Sequence, residues 1–272
     1  MEHDFNLKGK VAVITGAAGI LCSTIAMGLA KKGVKIALLD LADEKAKEIA
    51  DRIIADGGEA FAVKVDVLDK KSIKSAADKV LKKFGTVDIL INGAGGNKEE
   101  ATTGKDKSFF DIPEEAVKWV FDLNLIGTIM PCQVFCKIFA EKGKGSIINI
   151  SSMAAFIPLT RTLAYSAAKA GVNNFTNWLA VHMNQEYSPE IRVNAIAPGF
   201  LLTEQNYYLL IDKETGGFTE RGKKIIDRTP MGRYGKPEEL LGAIIFLCSD
   251  EASFVNGVIL PVDGGFAAYS GV

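Results

Sequence analysis

Short apolar runs alternate with longer amphipathic runs along almost the whole chain. The short runs are rich in Val, Ile, Leu and Ala and are predicted strands, over 11–14, 34–39, 60–65, 87–91, 146–150, 191–196 and 258–262. The longer runs are predicted helices, over 20–32, 42–56, 69–84, 113–142, 164–187 and 237–249. Apolar strands that alternate with helices are typical of a parallel sheet covered on both faces. Right-handed crossovers then predict a doubly wound sheet of about seven strands.

The 272 residues are predicted to form one domain, 1–272, because no linker, repeat or low-complexity tract interrupts the alternation. One segment, 200–235, is predicted to be irregular with helical pieces. A connection of that length is uncommon inside a compact domain unless it has a function. We therefore expect this segment to be a lid over a binding site.

Composition excludes several classes of protein. A hydrophobic content of 48% argues against disorder, and 32 basic against 33 acidic residues leave no excess charge to attract nucleic acid or an anionic membrane. Glu2 and Asp4 stand where a signal peptide needs positive charge, and no uncharged apolar run reaches the length of a membrane span. Four cysteines without a CxxC pair, with only two histidines, indicate reduced thiols and no metal site. We expect a cytoplasmic protein.

The first predicted strand runs into Thr15-Gly16-Ala17-Ala18-Gly19 and then into a helix. Glycines at such a turn let the backbone approach a pyrophosphate, and the helix N-terminus offers free N–H groups. A plain strand-to-helix turn would leave the same pattern. Asp40, at the end of the second strand, adds a second signal, because its carboxylate can accept hydrogen bonds from both adenosine ribose hydroxyls and would repel a 2′-phosphate. No Arg or Lys lies in the turn or just after Asp40, which favours NAD over NADP.

Tyr165 and Lys169 are four residues apart, which places a phenol and an ammonium on one face of a helix. A free tyrosine has a pKa near 10, and a nearby cation is expected to lower it, so that Tyr165 could act as a general acid or base. The pattern YxxxK is common by chance. Ser152, however, stands at the end of the fifth strand, on the edge of a parallel sheet where ligands bind.

In sequence order, these features resemble the short-chain dehydrogenase/reductase family over essentially the whole chain. The matching motifs are Thr15-Gly16, Asp66-Val67, Asn92-Gly93-Ala94-Gly95, Asn124, the set Ser152, Tyr165 and Lys169, and Pro198-Gly199 followed by Thr203. The resemblance implies a Rossmann-type fold, a homotetramer and an oxidoreductase whose catalytic residues are Asn124, Ser152, Tyr165 and Lys169. It implies cofactor contacts from Gly16, Ala18, Gly19, Ile20, Leu21, Asp40, Asp66, Val67, Asn92, Gly93, Ala94, Tyr165, Lys169, Pro198, Gly199 and Thr203.

The glycine turn departs from the usual family pattern, TGxxxGxG. Ile20 and Cys22 stand where the second and third glycines are expected, and Gly19 is offset by one position. A β-branched residue resists positive φ, so either the turn bends at Gly19 or these positions have ordinary dihedral angles. A second departure is Gly93, which replaces the usual second Asn of NNAG.

Several stretches resemble one branch of the family, the D-mannonate oxidoreductases (fructuronate reductases); they are 93–98, 151–156, 173–176, 198–206 and 261–272. This narrower resemblance implies hydride transfer between NAD(H) and the carbonyl or hydroxyl of a sugar acid, D-fructuronate or D-mannonate. The substrate carboxylate then needs a cation. Arg161, between Ser152 and Tyr165, is the first candidate, since a guanidinium suits a carboxylate, although an exposed surface arginine is equally consistent. Weaker candidates are Asn97, Lys98 and Gln205.

Two other functions remain open from the sequence. A gluconate-type, polyol or 3-oxoacyl reductase would keep the chemistry and change the substrate. A dinucleotide-sensing module without catalysis is the non-enzyme alternative. The intact set of Asn124, Ser152, Tyr165 and Lys169 argues against that second alternative, because a sensor would not need these groups.

Overall fold

A computed structural model describes residues 5–204, 206–213 and 215–271. The described residues form seven strands, β1 Val11–Thr15, β2 Lys35–Asp40, β3 Ala60–Lys64, β4 Ile89–Asn92, β5 Gly145–Ile150, β6 Ile191–Pro198 and β7 Ile259–Val262. All pair in parallel, in the order β3-β2-β1-β4-β5-β6-β7. The predicted single-domain, doubly wound parallel sheet is therefore confirmed.

Helices cover both faces of this sheet. Their bounds are α1 Ile20–Ala30, α2 Asp43–Ala55, α3 Lys70–Phe84, α4 Glu114–Phe121, α5 Gly127–Lys142, α6 Leu163–Glu186, α7 Tyr207–Leu210, α8 Glu220–Asp227 and α9 Leu241–Cys248. One apolar core lies between the sheet and α1, α2 and α9, and a second lies between the sheet and α3, α5 and α6. Because every central strand is buried on both faces, its sequence is apolar almost throughout rather than alternating.

The strand order reverses between β1 and β4, which are neighbours in the sheet although β2 and β3 separate them in sequence. At such a switch point the two connections leave the sheet in opposite directions, and a crevice opens beyond the carboxyl ends of the strands. The glycine turn follows β1 and the 93–96 loop follows β4, so both meet at this crevice.

The predicted helix over 113–142 is wrong in one respect, because a π-helical turn, Asp122–Ile126, separates α4 from α5. By length and composition, Glu114–Lys142 could cross a membrane. In the structure α5 packs against α3, β4 and β5, with Phe135 and Phe139 fully buried. The stretch is thus a core helix.

The segment 200–235 contains α7, α8 and irregular backbone, as expected. It has a small apolar cluster of its own, made of Leu210, Ile211, Ile225 and Tyr234. The Tyr234 hydroxyl donates to the Gly222 carbonyl at 3.0 Å. These contacts give the segment enough internal packing to act as one unit.

Candidate active site

A cleft of about 410 Å³ opens at the carboxyl ends of β1, β4, β5 and β6. It brings together Ser152, Tyr165 and Lys169, which are distant from the glycine turn in sequence. Eight further residues with a predicted cofactor contact line the same cleft; they are Gly16, Gly19, Ile20, Leu21, Gly93, Pro198, Gly199 and Thr203. The sequence missed other residues of its walls, among them Met153, Leu159, Phe200 and Asn206.

The glycine turn bends at Gly16, whose φ is 63°. A Cβ at this position would lie 2.7–2.8 Å from the backbone of Gly93 and Ala94, so only glycine fits. Gly19 is extended, with φ −71°, and precedes α1. Ile20 and Cys22 are ordinary helical residues, because every positive φ among the described residues belongs to a glycine. Of the two alternatives left open by the sequence, the second is correct, because Ile20 and Cys22 have ordinary dihedral angles and the turn does not bend at Gly19.

Cys22 and Gly93, the two departures from the family pattern, share one space. A Cβ built on Gly93 would overlap the Cys22 Sγ and would lie 3.0 Å from the Thr15 carbonyl oxygen. Cys22 is buried, and burial raises the pKa of its thiol to about 12. It therefore acts as a small neutral packing group. The missing side chain at 93 leaves room for the side chain at 22.

Asp40 is held at the rim of the glycine turn. Its Oδ2 accepts from the Ala18 N–H at 2.9 Å, and its Oδ1 accepts from the Ala42 N–H at 2.8 Å. These bonds fix the carboxylate beside the site where an adenosine ribose would bind. Ala18, predicted as a cofactor contact, thus gives its N–H to Asp40.

The remaining predicted cofactor contacts do not line the cleft. Asp66 is exposed and accepts from the Leu68 N–H at 2.8 Å, and Val67 is buried. Ala94 packs over Gly16. The Asn92 side chain is buried and donates to Asn149 Oδ1 at 2.9 Å, which joins β4 to β5 inside the core. The cofactor contact of Asn92 stays a prediction.

Lys169 is almost completely buried, and its Nζ donates to the Ile150 carbonyl at 2.8 Å. Burial lowers the pKa of this ammonium from 10.5 to about 8. Its Nζ lies 5.7 Å from the centre of the Tyr165 ring. The two groups predicted to act together are therefore neighbours on α6.

The pKa of Tyr165 is raised above its ordinary value, which corrects the expected lowering. Burial disfavours the phenolate, and the hydrogen bond with Ser152 opposes this effect without cancelling it. Ser152 Oγ also accepts from the Ala154 N–H at 3.1 Å, in the turn that follows β5. Ser152 and Tyr165 hydroxyls therefore meet at one point of the cleft, where a substrate oxygen could contact both.

Asn124 lies in the π-helical turn and holds the loop that follows β4. Its Nδ2 donates to the Gly96 carbonyl at 2.7 Å, and its Oδ1 accepts from the Gly96 N–H at 3.1 Å. A Cβ at Gly95 would lie 2.8 Å from this Oδ1 and 3.2 Å from Lys169 Nζ. The π-helical turn thus directs the Asn124 side chain towards the cleft, and such turns are frequent at functional sites.

The four predicted substrate residues do not lie together. Arg161 lines a neighbouring cavity and is not part of the cleft wall. Lys98 Nζ lies 4.6 Å over the Trp119 ring, and Asn97 is exposed. Gln205 lies outside the described residues. Among those residues, no three His, Cys, Asp or Glu side chains form a group that could hold a metal ion.

A family model described as enoyl-(acyl carrier protein) reductase matches residues 16–267. The chain belongs to the short-chain dehydrogenase/reductase family. The family and its members make it an oxidoreductase that acts on alcohol groups.

Three relatives set this short-chain dehydrogenase in context. An uncharacterized oxidoreductase of Bacillus subtilis (strain 168) is 50% identical, over 98% of each chain. The 2-dehydro-3-deoxy-D-gluconate 5-dehydrogenase of Dickeya dadantii (strain 3937) is 35% identical, over 98% of each chain. A crystal structure with bound NAD, from Haemophilus influenzae and provisionally assigned as a D-mannonate oxidoreductase, has a TM-score of 0.93 at 50% identity and covers 98% of each chain.

The residues of this short-chain dehydrogenase fit a dinucleotide. Gly16 packs against the backbone of Gly93 and Ala94, so the glycine turn and the loop after β4 lie side by side. The first turn of α1 carries no charged side chain, so its N–H groups and positive dipole end suit a pyrophosphate. Asp40 ends β2, three strand positions from β5, where it could accept hydrogen bonds from ribose hydroxyls.

Proposed function

We propose that this short-chain dehydrogenase is an NAD-dependent oxidoreductase of sugar acids that interconverts D-fructuronate and D-mannonate. The observation that carries the proposal is the meeting of Ser152, Tyr165 and Lys169 in one cleft with the glycine turn. Two relatives support the substrate class, one described as a sugar-acid dehydrogenase and one provisionally as a D-mannonate oxidoreductase. The stretches shared with the mannonate branch support the particular acid.

Each polar group of the cleft has a role in carbonyl reduction. The nicotinamide cofactor supplies or accepts the hydride. Ser152 and Tyr165 donate hydrogen bonds to the substrate oxygen, and Tyr165 gives up its phenolic proton. Lys169 holds positive charge beside Tyr165, which favours the phenolate as the proton leaves. Asn124 fixes the 95–96 loop and is a positioning residue.

NAD is proposed over NADP because Asp40 is a fixed anion. Its two backbone hydrogen bonds hold the carboxylate at the rim of the turn. A 2′-phosphate there would be repelled, whereas ribose hydroxyls can donate to it. The bound NAD of the Haemophilus influenzae structure agrees with this proposal.

We further propose a cytoplasmic homotetramer and a substrate lid over 200–235. Support for association comes from an apolar groove between α5 and α6, where Trp178 is 57% exposed. An exposed aromatic of this kind on a helix pair is typical of a subunit contact. Light scattering of the full chain would measure its mass.

The test follows NADH absorbance with D-fructuronate, tagaturonate, 5-ketogluconate and an acetoacetyl thioester, each repeated with NADPH. We expect D-fructuronate with NADH to react fastest. Tyr165→Phe should keep NADH binding and lose turnover, while Tyr187→Phe, on the exposed end of α6, should keep both. Faster reaction of 5-ketogluconate or the thioester would make that compound the substrate in place of D-fructuronate. Near-normal turnover of Tyr165→Phe would refute the catalytic role of Tyr165. NADH binding without any turnover would favour a sensor.

A further inference from the structure

A second cavity, of about 530 Å³, adjoins the catalytic cleft and is here called the basic cavity. Leu159 and Phe200 line both spaces, so the two spaces adjoin at these side chains. The basic cavity is also lined by four cationic side chains, Arg161, Arg221, Lys224 and Arg228. Arg161 comes from the loop before α6, and the other three come from α8 and its C-terminal end.

The cations of α8 face one side because of their spacing. Arg221, Lys224 and Arg228 recur at three and four residues, which aligns them on one helical face. Lys223 lies outside this face and pairs with Glu220 at 3.9 Å. The cationic face therefore lines the basic cavity, although its side chains also reach solvent.

Within the described part of the chain, no carboxylate lies within 4.0 Å of any of the four cations. Arg228 instead lies 5.8 Å over the Phe266 ring. Glu220 is the one acidic residue of the cavity wall, and Lys223 partners it. Apolar walls from Ile157, Ile225 and Phe266 strengthen the field of unpaired charges. The cavity is thus built for an anion.

We propose that the basic cavity binds the carboxylate of the substrate while the substrate carbonyl lies at Ser152 and Tyr165. This inference rests on the proposed sugar-acid function and assigns its anion-binding residues. A carboxylate bridging Arg161 and α8 ties the lid segment to the loop before α6.

The test replaces both cations at the start of the cationic face, in the double variant Arg221→Gln/Lys224→Gln. Lys213→Gln is the control, since it removes an exposed cation of the same 200–235 segment that does not line the basic cavity. D-fructose is the matched substrate, because a CH2OH group stands where D-fructuronate has its carboxylate. KM and kcat are measured for both substrates, and KM for NADH is measured in parallel.

We expect the double variant to raise KM for D-fructuronate at least about tenfold, since a hydrogen bond to a charged group contributes that much or more. KM for NADH and for D-fructose should stay unchanged, and Lys213→Gln should match the wild type. If the wild type prefers D-fructuronate and the double variant keeps its KM, the basic cavity is not the carboxylate site, although the sugar-acid function stands. If the wild type prefers D-fructose or reduces neither, the proposed function fails and the inference fails with it.

Discussion

Substitution of Gly93 by alanine tests the complementary packing of Cys22 and Gly93. Gly93 does not have positive φ, so a new methyl group brings no backbone strain of its own. The methyl carbon would overlap the Cys22 Sγ, far inside the separation of roughly 3.5–4.0 Å at which non-bonded atoms attract. Cys22 is 3% exposed and cannot swing into solvent. Overpacking of this kind costs about 1–3 kcal/mol of unfolding free energy.

Cys22→Ala removes the sulfur that the new methyl would meet. The Cys22 Cβ lies 3.6 Å from the added atom, an ordinary contact, and only the Thr15 carbonyl oxygen at 3.0 Å stays close. Cys22→Ala alone leaves a small void and should cost about 1 kcal/mol. Gly93→Ala should therefore cost much less in the Cys22→Ala background, with a coupling of about 1–2 kcal/mol.

Urea denaturation of the wild type, both single variants and the double variant measures this coupling without cofactor. Thermal unfolding provides a second measurement, since a change of 1 kcal/mol in unfolding free energy shifts Tm by about 2–4 °C for a chain of this size. Costs that add to within about 0.5 kcal/mol would refute the shared space. The pair Cys22→Gly/Gly93→Asn, which restores both family residues, should bind NADH better than Gly93→Asn alone.

Three other predictions concern the charged groups of the cleft. Lys169→Met should lose turnover yet raise the unfolding free energy at pH 7 by about 1–2 kcal/mol, measured by urea denaturation. Because burial lowers the lysine pKa from 10.5 to about 8, the charged Lys169 destabilises the folded wild type by roughly 3 kcal/mol. The variant avoids this cost, but it leaves the Ile150 carbonyl without its hydrogen bond, so the net gain is smaller. This advantage should shrink as pH rises from 8 to 10.5, because there only the unfolded wild type still holds the proton. Asp40→Asn should lower the preference for NADH over NADPH in the ratio of kcat/KM. Reduction should lose kcat/KM as pH rises through about 8, because Lys169 there loses the charge that stabilises the Tyr165 phenolate.

The fold was predictable because its signals are local. Strands such as β1 and β2 are apolar throughout, and helix ends such as α3 stop at a glycine, Gly85, in the left-handed region. The meeting of Tyr165, Lys169 and Ser152 followed from one helical spacing and one strand end. These features do not depend on distant parts of the chain.

The features that the sequence did not indicate are tertiary contacts. Nothing in Asp122–Ile126 distinguishes a π-turn from an α-helix; the visible contact there is between Asn124 and the distant Gly96. The inward direction of Asn92 depends on Asn149 of the neighbouring strand. Arg161 lines the basic cavity because the loop before α6 packs beside α8, a contact that sequence spacing cannot indicate.

The pKa of Tyr165 shows how burial changes the chemistry expected from a sequence motif. A neighbouring ammonium alone would make the phenol more acidic, but burial disfavours charge on both Tyr165 and Lys169. The phenol therefore keeps its proton at neutral pH, which is the state required to protonate a carbonyl. The reverse reaction needs the phenolate, in a site that resists it. The lysine charge lowers the cost of the phenolate that each reduction leaves behind.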